Sequence, residues 1–378
     1  MLSPVTASPP ARVNRRIFLT LGTTGAATTL AALSGCSAMG GTAVASTPNP
    51  DTVQEEAAVK LVLAQVKALH TGASNLASGT RPDGSAIRIP GATARLLTQI
   101  TAVHEAQLTA LGSPVATTAT PSSSPTPSES AAEESAIASP GKLVTAEWNT
   151  ARLALTHAAG LSPEFALLLY KIAASCAANA DLLRTAVGKG RALGELTPVE
   201  DQTTDDVGAS APEGTTGTAG AAETTDDTGA STPEASAASP IELTDGEAEA
   251  LNRLLAGEHA AFYAYPLVIA HVDSARRTVA NSLWEAHRQQ RDELERMLVE
   301  AQQEPVESGA AYKVAVPASA GKAAALAAQI ERRLGGLAVD VIAAAEDDQV
   351  ESTAAGLLVL STRRQAAWSN KPVADPGV

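Results

Sequence analysis

The sequence predicts an all-α protein: two four-helix bundles joined by a disordered acidic linker. Three observations carry that reading. Aromatic residues make up only 3% of the 378 residues while apolar residues make up 44%, a balance that suits Ala-rich helices and leaves too few aromatic side chains for a large β-rich fold. Apolar residues recur at three- and four-residue spacing in eight separate segments. The formal charge of -14, from 41 acidic and 27 basic residues, is also concentrated, since Ala192 to Ala250 holds 14 acidic residues and no Lys or Arg. A neutral body with one acidic strap offers phosphate no basic face, which disfavours nucleic acid as a partner.

In chain order, residues 1–35 read as an export signal. Arg15 and Arg16 precede a mildly apolar, Gly- and Thr-diluted run, and Leu33-Ser34-Gly35-Cys36 follows it. This order resembles a twin-arginine signal ending in a lipoprotein cleavage box, with Cys36 lipidated as the new N-terminus. About 17 diluted apolar residues are short for a membrane span. The reading implies an exported protein on the outer face of the cell membrane, anchored through lipid at Cys36. Cys176 is the only other cysteine, so a lipidated Cys36 leaves no intramolecular disulfide.

A polar tether (36–50) leads to the first bundle, residues 51–190. Val59, Val62, Val66 and Leu69 mark its first helix, and Leu97, Ile100, His104, Leu108 and Leu111 its second. A Ser/Thr/Pro-rich disordered loop spans 114–140. The third helix follows from about Lys142 to Ala158. The fourth has Ser162 as N-cap and Pro163 at its first position, with Phe165, Leu169, Ile172 and Cys176 on one apolar face. Cys176 reads there as a core residue, and His104 as a core histidine satisfied by hydrogen bonds.

The linker (191–242) contains Thr203 to Glu213 repeated as Thr224 to Glu234, identical at nine of eleven positions. So short and polar a repeat buries no core. Its random-coil reach of roughly 40 Å predicts that the second bundle stands away from the first. The second bundle (243–370) has helices at about Thr244–Ala270, Ala275–Gln302, Ala320–Ala345 and Val350–Trp368, before a tail (371–378). The long link through Pro305 to Pro317 between its second and third helices lets the chain cross the bundle end to end. Pro266, inside its first helix, removes a backbone donor and should free a carbonyl near Phe262.

Glu258-His259-Ala260-Ala261-Phe262-Tyr263-Ala264-Tyr265, then Ala286-His287 through Asp292, Ala311-Tyr312 and Ala366-Ala367-Trp368 resemble an uncharacterised ferritin-like family of actinobacterial proteins, over about Leu251 to Trp368. The first bundle looks like a diverged relative. The resemblance implies a four-helix fold and a search for carboxylate and Glu-x-x-His metal ligands. Glu258 and His287 lie on the apolar stripes of their helices and Glu331 on the edge of its own; Trp284 stands where the second helix needs Glu, and Ser361 and Arg364 supply no ligand. A complete di-metal site is absent from the sequence. Glu258 and His287 therefore read as a polar core layer, with Tyr265 and with Arg291 or Arg364 as partners, while His259 and His271 read as solvated. Phe262, Tyr263 and Tyr265 are spaced either for a small-molecule cage or for packing.

These features point to a non-catalytic cell-envelope lipoprotein that binds a small ligand or an envelope protein. The alternative is a ferritin-like protein binding iron or another divalent metal at Glu258, His287 and Glu331. Anchoring has a direct test: Cys36→Ala should move the protein from the membrane fraction into the medium, and retention in the membrane would contradict lipid attachment.

Overall fold

Eight helices are seen in the computed structural model, which describes residues 50–112, 137–189 and 242–378. The first set is α1 (Pro50–Ala77), α2 (Gly91–Ala110), α3 (Pro140–Ala158) and α4 (Pro163–Ala186). The second is α5 (Asp245–His271), α6 (Ser274–Glu300), α7 (Ala320–Ala344) and α8 (Asp348–Ser369). No strand occurs among the described residues, only an isolated bridge between Thr80 and Ala86 in the α1–α2 connection. The signal residues Arg15 and Arg16, the lipid-acceptor Cys36, and nearly all of the tether, the 114–140 loop and the 191–242 linker lie outside the described residues.

Local chemistry sets the helix ends. Thr244 caps α5 in a reciprocal box: its Oγ1 accepts from the Glu247 N–H at 3.3 Å, and the Glu247 carboxylate accepts from the Thr244 N–H at 2.8 Å. Asp273, Ser319 and Asp347 cap α6, α7 and α8, and Ser139 caps α3, each by a side chain that accepts a backbone N–H of the first turn. Ser162, expected as the cap of α4, makes no side-chain cap bond; instead its N–H donates to Glu55 Oε1 at 2.8 Å. Pro163 at the first helical position still suits the start of α4.

Side-chain pairings give the chain path. Later residues of α5 meet earlier residues of both α6 and α7: Tyr265 and Val268 pack with Ala280, Ala323 and Ala327, whereas Glu258 meets His287. Both α6 and α7 therefore run antiparallel to α5 and parallel to each other, so residues 301–319 must cross the bundle end to end. Asn252 holds this crossover, donating to the Glu304 carbonyl at 3.2 Å and accepting from the Val306 N–H at 2.6 Å. Gly257 makes close approach of α5 and α7 possible, because a Cβ there would sit 2.6 Å from Leu337. Each set also ties its first helix to the turn between its third and fourth. Glu55 does this through Ser162, and the buried Glu247 through the Glu346 and Asp347 N–H groups at 2.7 and 2.9 Å.

The two sets are not held apart. The described residues fall in one compact unit, and α4 packs along α8. From Ile172 to Leu183 every residue of α4 is buried, the polar Ser175, Asn179 and Asp181 among them, so this helix needs cover on all sides. It is the one described helix apolar and long enough to cross a membrane, and 78% of that apolar window is buried by protein. The prediction of a single apolar face fails for the same reason, and Phe165, expected in that face, is 39% exposed at the helix start. Polar contacts line the seam. Asp181 receives the Arg363 Nε–H at 2.7 Å, the Arg363 guanidinium lies 5.1 Å from the Trp148 ring, and Tyr170 bonds Glu351. The tail continues it, with Ser175 Oγ donating to the Val373 carbonyl at 2.9 Å and Lys171 pairing with Asp375 at 2.8 Å.

Removing one member of a buried ion pair strands the other. Arg363→Ala should cost about 3 kcal/mol of unfolding free energy in a urea titration, while Asp181→Leu combined with Arg363→Met should recover most of that loss. A single variant as stable as wild type would show that the pair does not hold the seam.

Candidate functional site

All four helices of the second bundle contribute to one polar layer. Glu258 from α5, His287 from α6 and Glu331 from α7 are 2%, 0% and 0% exposed, and Tyr265 from α5 is fully buried beside them. His287 donates through Nδ1 to Glu258 Oε2 at 2.7 Å and through Nε2 to Glu331 Oε1 at 3.2 Å. Tyr265 donates its hydroxyl to the same Glu331 oxygen and accepts from Trp368 Nε1 of α8 at 3.3 Å. The tyrosine and imidazole rings lie tilted, with centroids 4.7 Å apart. The result is an unbroken chain of hydrogen bonds from Trp368 through Tyr265, Glu331 and His287 to Glu258.

A ring with a carboxylate on each nitrogen is best satisfied as imidazolium. Burial works against that charge, but Glu331 and Glu258 outweigh it and push the His287 pKa up to about 9. Burial likewise disfavours ionised Glu331, and the His287 cation, Arg364 and the Tyr265 hydroxyl together hold its pKa below the ordinary carboxylate value. The Tyr265 phenol is raised well above its usual range, by burial first and then by Glu331.

This layer does not fit a metal ion. The imidazole lies between the two carboxylates, which face opposite ring nitrogens, so one ion cannot bind both. Arg364 adds positive charge beside Glu331. Ser361, the α8 residue at the matching level, spends its hydroxyl on the Leu358 carbonyl at 3.1 Å. Glu285 faces away, paired with Arg288.

The neighbouring residues divide between expectation and correction. Trp284 donates its indole N–H to the Phe262 carbonyl at 3.0 Å, the carbonyl that Pro266 deprives of its helical donor. Phe262, Tyr263 and Tyr265 form no common cage. Phe262 stacks on Trp284 at 5.1 Å, the exposed Tyr263 meets Tyr312, and Tyr265 turns into the polar layer. Of the two cations expected near Glu258, Arg291 lies 5.1 Å from the Phe262 ring, and Arg364 donates to Gln290 at 3.2 Å. His259, read as solvated, is 5% exposed and donates to the Val306 carbonyl of the crossover at 3.2 Å. His271 bonds the Leu267 carbonyl in the last turn of α5.

A cavity of about 370 Å³ opens beside this layer where α4, α6 and α8 meet. Leu182, Val279, Leu283 and Trp368 supply apolar walls, and Arg276 and Arg364 supply positive charge. Sequence reasoning missed it because its walls come from both bundles. Also missed was a second polar layer in the first bundle: His104 of α2 meets Glu147 of α3 through Nε2 at 2.8 Å, both fully buried, and Cys176 lies against Glu147. One signal for it was present. The separation from His104 to Glu147 is 43 residues and that from His287 to Glu331 is 44.

Residues 250–378 match the model of a family described as a domain of unknown function (DUF4439). Among solved structures, the crystal structure of a conserved hypothetical protein, rv2844, from Mycobacterium tuberculosis is similar at 26% identity. The match covers 34% of this chain and 98% of that one, with a TM-score of 0.33. No curated protein matches the chain.

The His287 cation makes stability depend on pH. Its folded pKa lies above the ordinary imidazole value of about 6.5, so its contribution is complete below that value and is lost as pH rises through about 9. Denaturant midpoints should fall between pH 7 and 10 in the wild type and less so in His287→Gln; parallel profiles would contradict the ion triad.

Proposed function

We propose that the chain is a non-catalytic protein, lipid-anchored at the outer face of the cell membrane, whose helical unit binds a small anionic amphiphile. The cavity between α4, α6 and α8 carries this reading: a mostly apolar chamber with Arg276 and Arg364 among its walls is suited to a hydrocarbon body ending in a carboxylate or phosphate. The twin-arginine and lipoprotein features around Arg15, Arg16 and Cys36 support delivery to a compartment where such molecules are at hand. The antiparallel and parallel order of α5 to α8 with its end-to-end crossover, together with the motifs around Glu258 and His287, supports a ferritin-like origin for the second bundle. In this reading the Glu258–His287–Glu331–Tyr265 layer is structural and holds α8, and hence one wall of the cavity, in place. The alternative, iron or another divalent ion on Glu258, His287 and Glu331, has in its favour that Glu331 Oε2 lacks a hydrogen-bond partner. Against it stands the imidazole between the carboxylates.

Calorimetric titration with dodecanoate should show saturable binding of one molecule per chain. Dodecanol should bind about tenfold more weakly, the loss of about 1.4 kcal/mol, and Val279→Trp should abolish binding by filling the chamber. Equal affinity for acid and alcohol, or no saturable binding, would sink the proposal.

A further inference from the structure

The first bundle buries a different set of donors from the second. His104 Nε2, a Glu147 carboxylate oxygen and the Cys176 sulfur come from α2, α3 and α4 and lie within 4.8 Å of one another, all three residues fully buried. We propose that His104, Glu147 and Cys176 form a buried site for one zinc-class divalent ion.

Four observations converge on this assignment. Imidazole, thiolate and carboxylate together suit a borderline-soft ion that accepts tetrahedral coordination, and they suit magnesium or calcium poorly. The His104 ring is already oriented as a ligand: Gln107 Oε1 accepts from Nδ1 at 2.9 Å and turns Nε2 toward Glu147. The second layer differs on this point, since there a carboxylate occupies each ring nitrogen. Glu147 Oε2 is buried with no hydrogen-bond partner. Asn179, three residues beyond Cys176 on α4, is fully buried, and both its amide atoms also lack partners.

An ion that takes His104 Nε2 and Cys176 Sγ as ligands replaces a proton on each, so binding releases protons to solvent. The 2.8 Å contact between His104 and Glu147 must widen by under about 1 Å to seat an ion with bonds of about 2 Å.

Cobalt(II) is a direct probe, because only a thiolate ligand gives a sulfur-to-cobalt charge-transfer band. The full chain, stripped of metal with a chelator, should take up one equivalent of cobalt with that band, and zinc should bleach it and raise the Tm. Cys36→Ala and Glu331→Gln should keep the band. Cys176→Ser should lose it and weaken zinc binding about tenfold or more, as should His104→Gln. A folded wild type that gives no such band, or a band that survives Cys176→Ser, overturns the proposal, and the wild-type spectrum decides even if a variant fails to fold.

Discussion

Everything else in the arrangement follows from the need to cover α4 on all sides. A helix buried at every residue from Ile172 to Leu183 gives no face to water. Its own bundle, through α3 and to a lesser degree α1 and α2, covers only part of it. The remainder is closed by α8 and by the returning tail, whose Val373 packs with Ala178, Leu182 and Ala366. Small side chains on α4 allow the approach, and Asp181–Arg363 sets its register through a charge pair that only one alignment satisfies. The chamber is a by-product of the same seam, since it lies where α4, α8 and α6 fail to close completely.

The two bundles solve one problem twice with different chemistry. Each places a histidine on its second helix and a glutamate on its third, at nearly the same separation, and each ties its first helix to the turn between the third and fourth through a glutamate. The fourth helix differs. Cys176 is the fourteenth residue of α4, and Ser361 is the fourteenth of α8. Where the second bundle turns Ser361 back on its own helix and closes the layer with Tyr265 and Trp368, the first presents a thiol to the carboxylate. A buried carboxylate is costly without a partner. The second layer places an imidazolium, an arginine and a phenol around Glu331, the first a histidine and a thiol around Glu147, and in each one carboxylate oxygen has no hydrogen-bond partner.

Much of this was legible in the chain. The long crossover before α7, the convergence of Glu258, His287, Glu331 and Tyr265, and the orphan carbonyl opposite Pro266 each follow from spacing or from a single missing donor. Other features were not. Nothing in the spacing around His259 says that the crossover returns to cover it, and nothing near His104 names Glu147, because both depend on where distant segments dock. Phe165 and the aromatic trio misled because periodicity reports that a face is apolar without saying what lies against it.

The sequence by itself determined the eight helices, their order, the concentration of negative charge in one strap, and which side chains each bundle turns inward. These are set by interactions within a few residues: caps, helix-breaking prolines and the 3.6-residue period. The tertiary structure decided that the bundles share α4 and α8 as a common seam, that the strap does not separate them, that a chamber opens between them, and that a thiol, a carboxylate and an imidazole meet in the first core. Those outcomes depend on contacts between residues a hundred or more positions apart, as with Asp181 and Arg363. Local patterning specifies the surfaces that such contacts use, and only packing selects which surfaces meet.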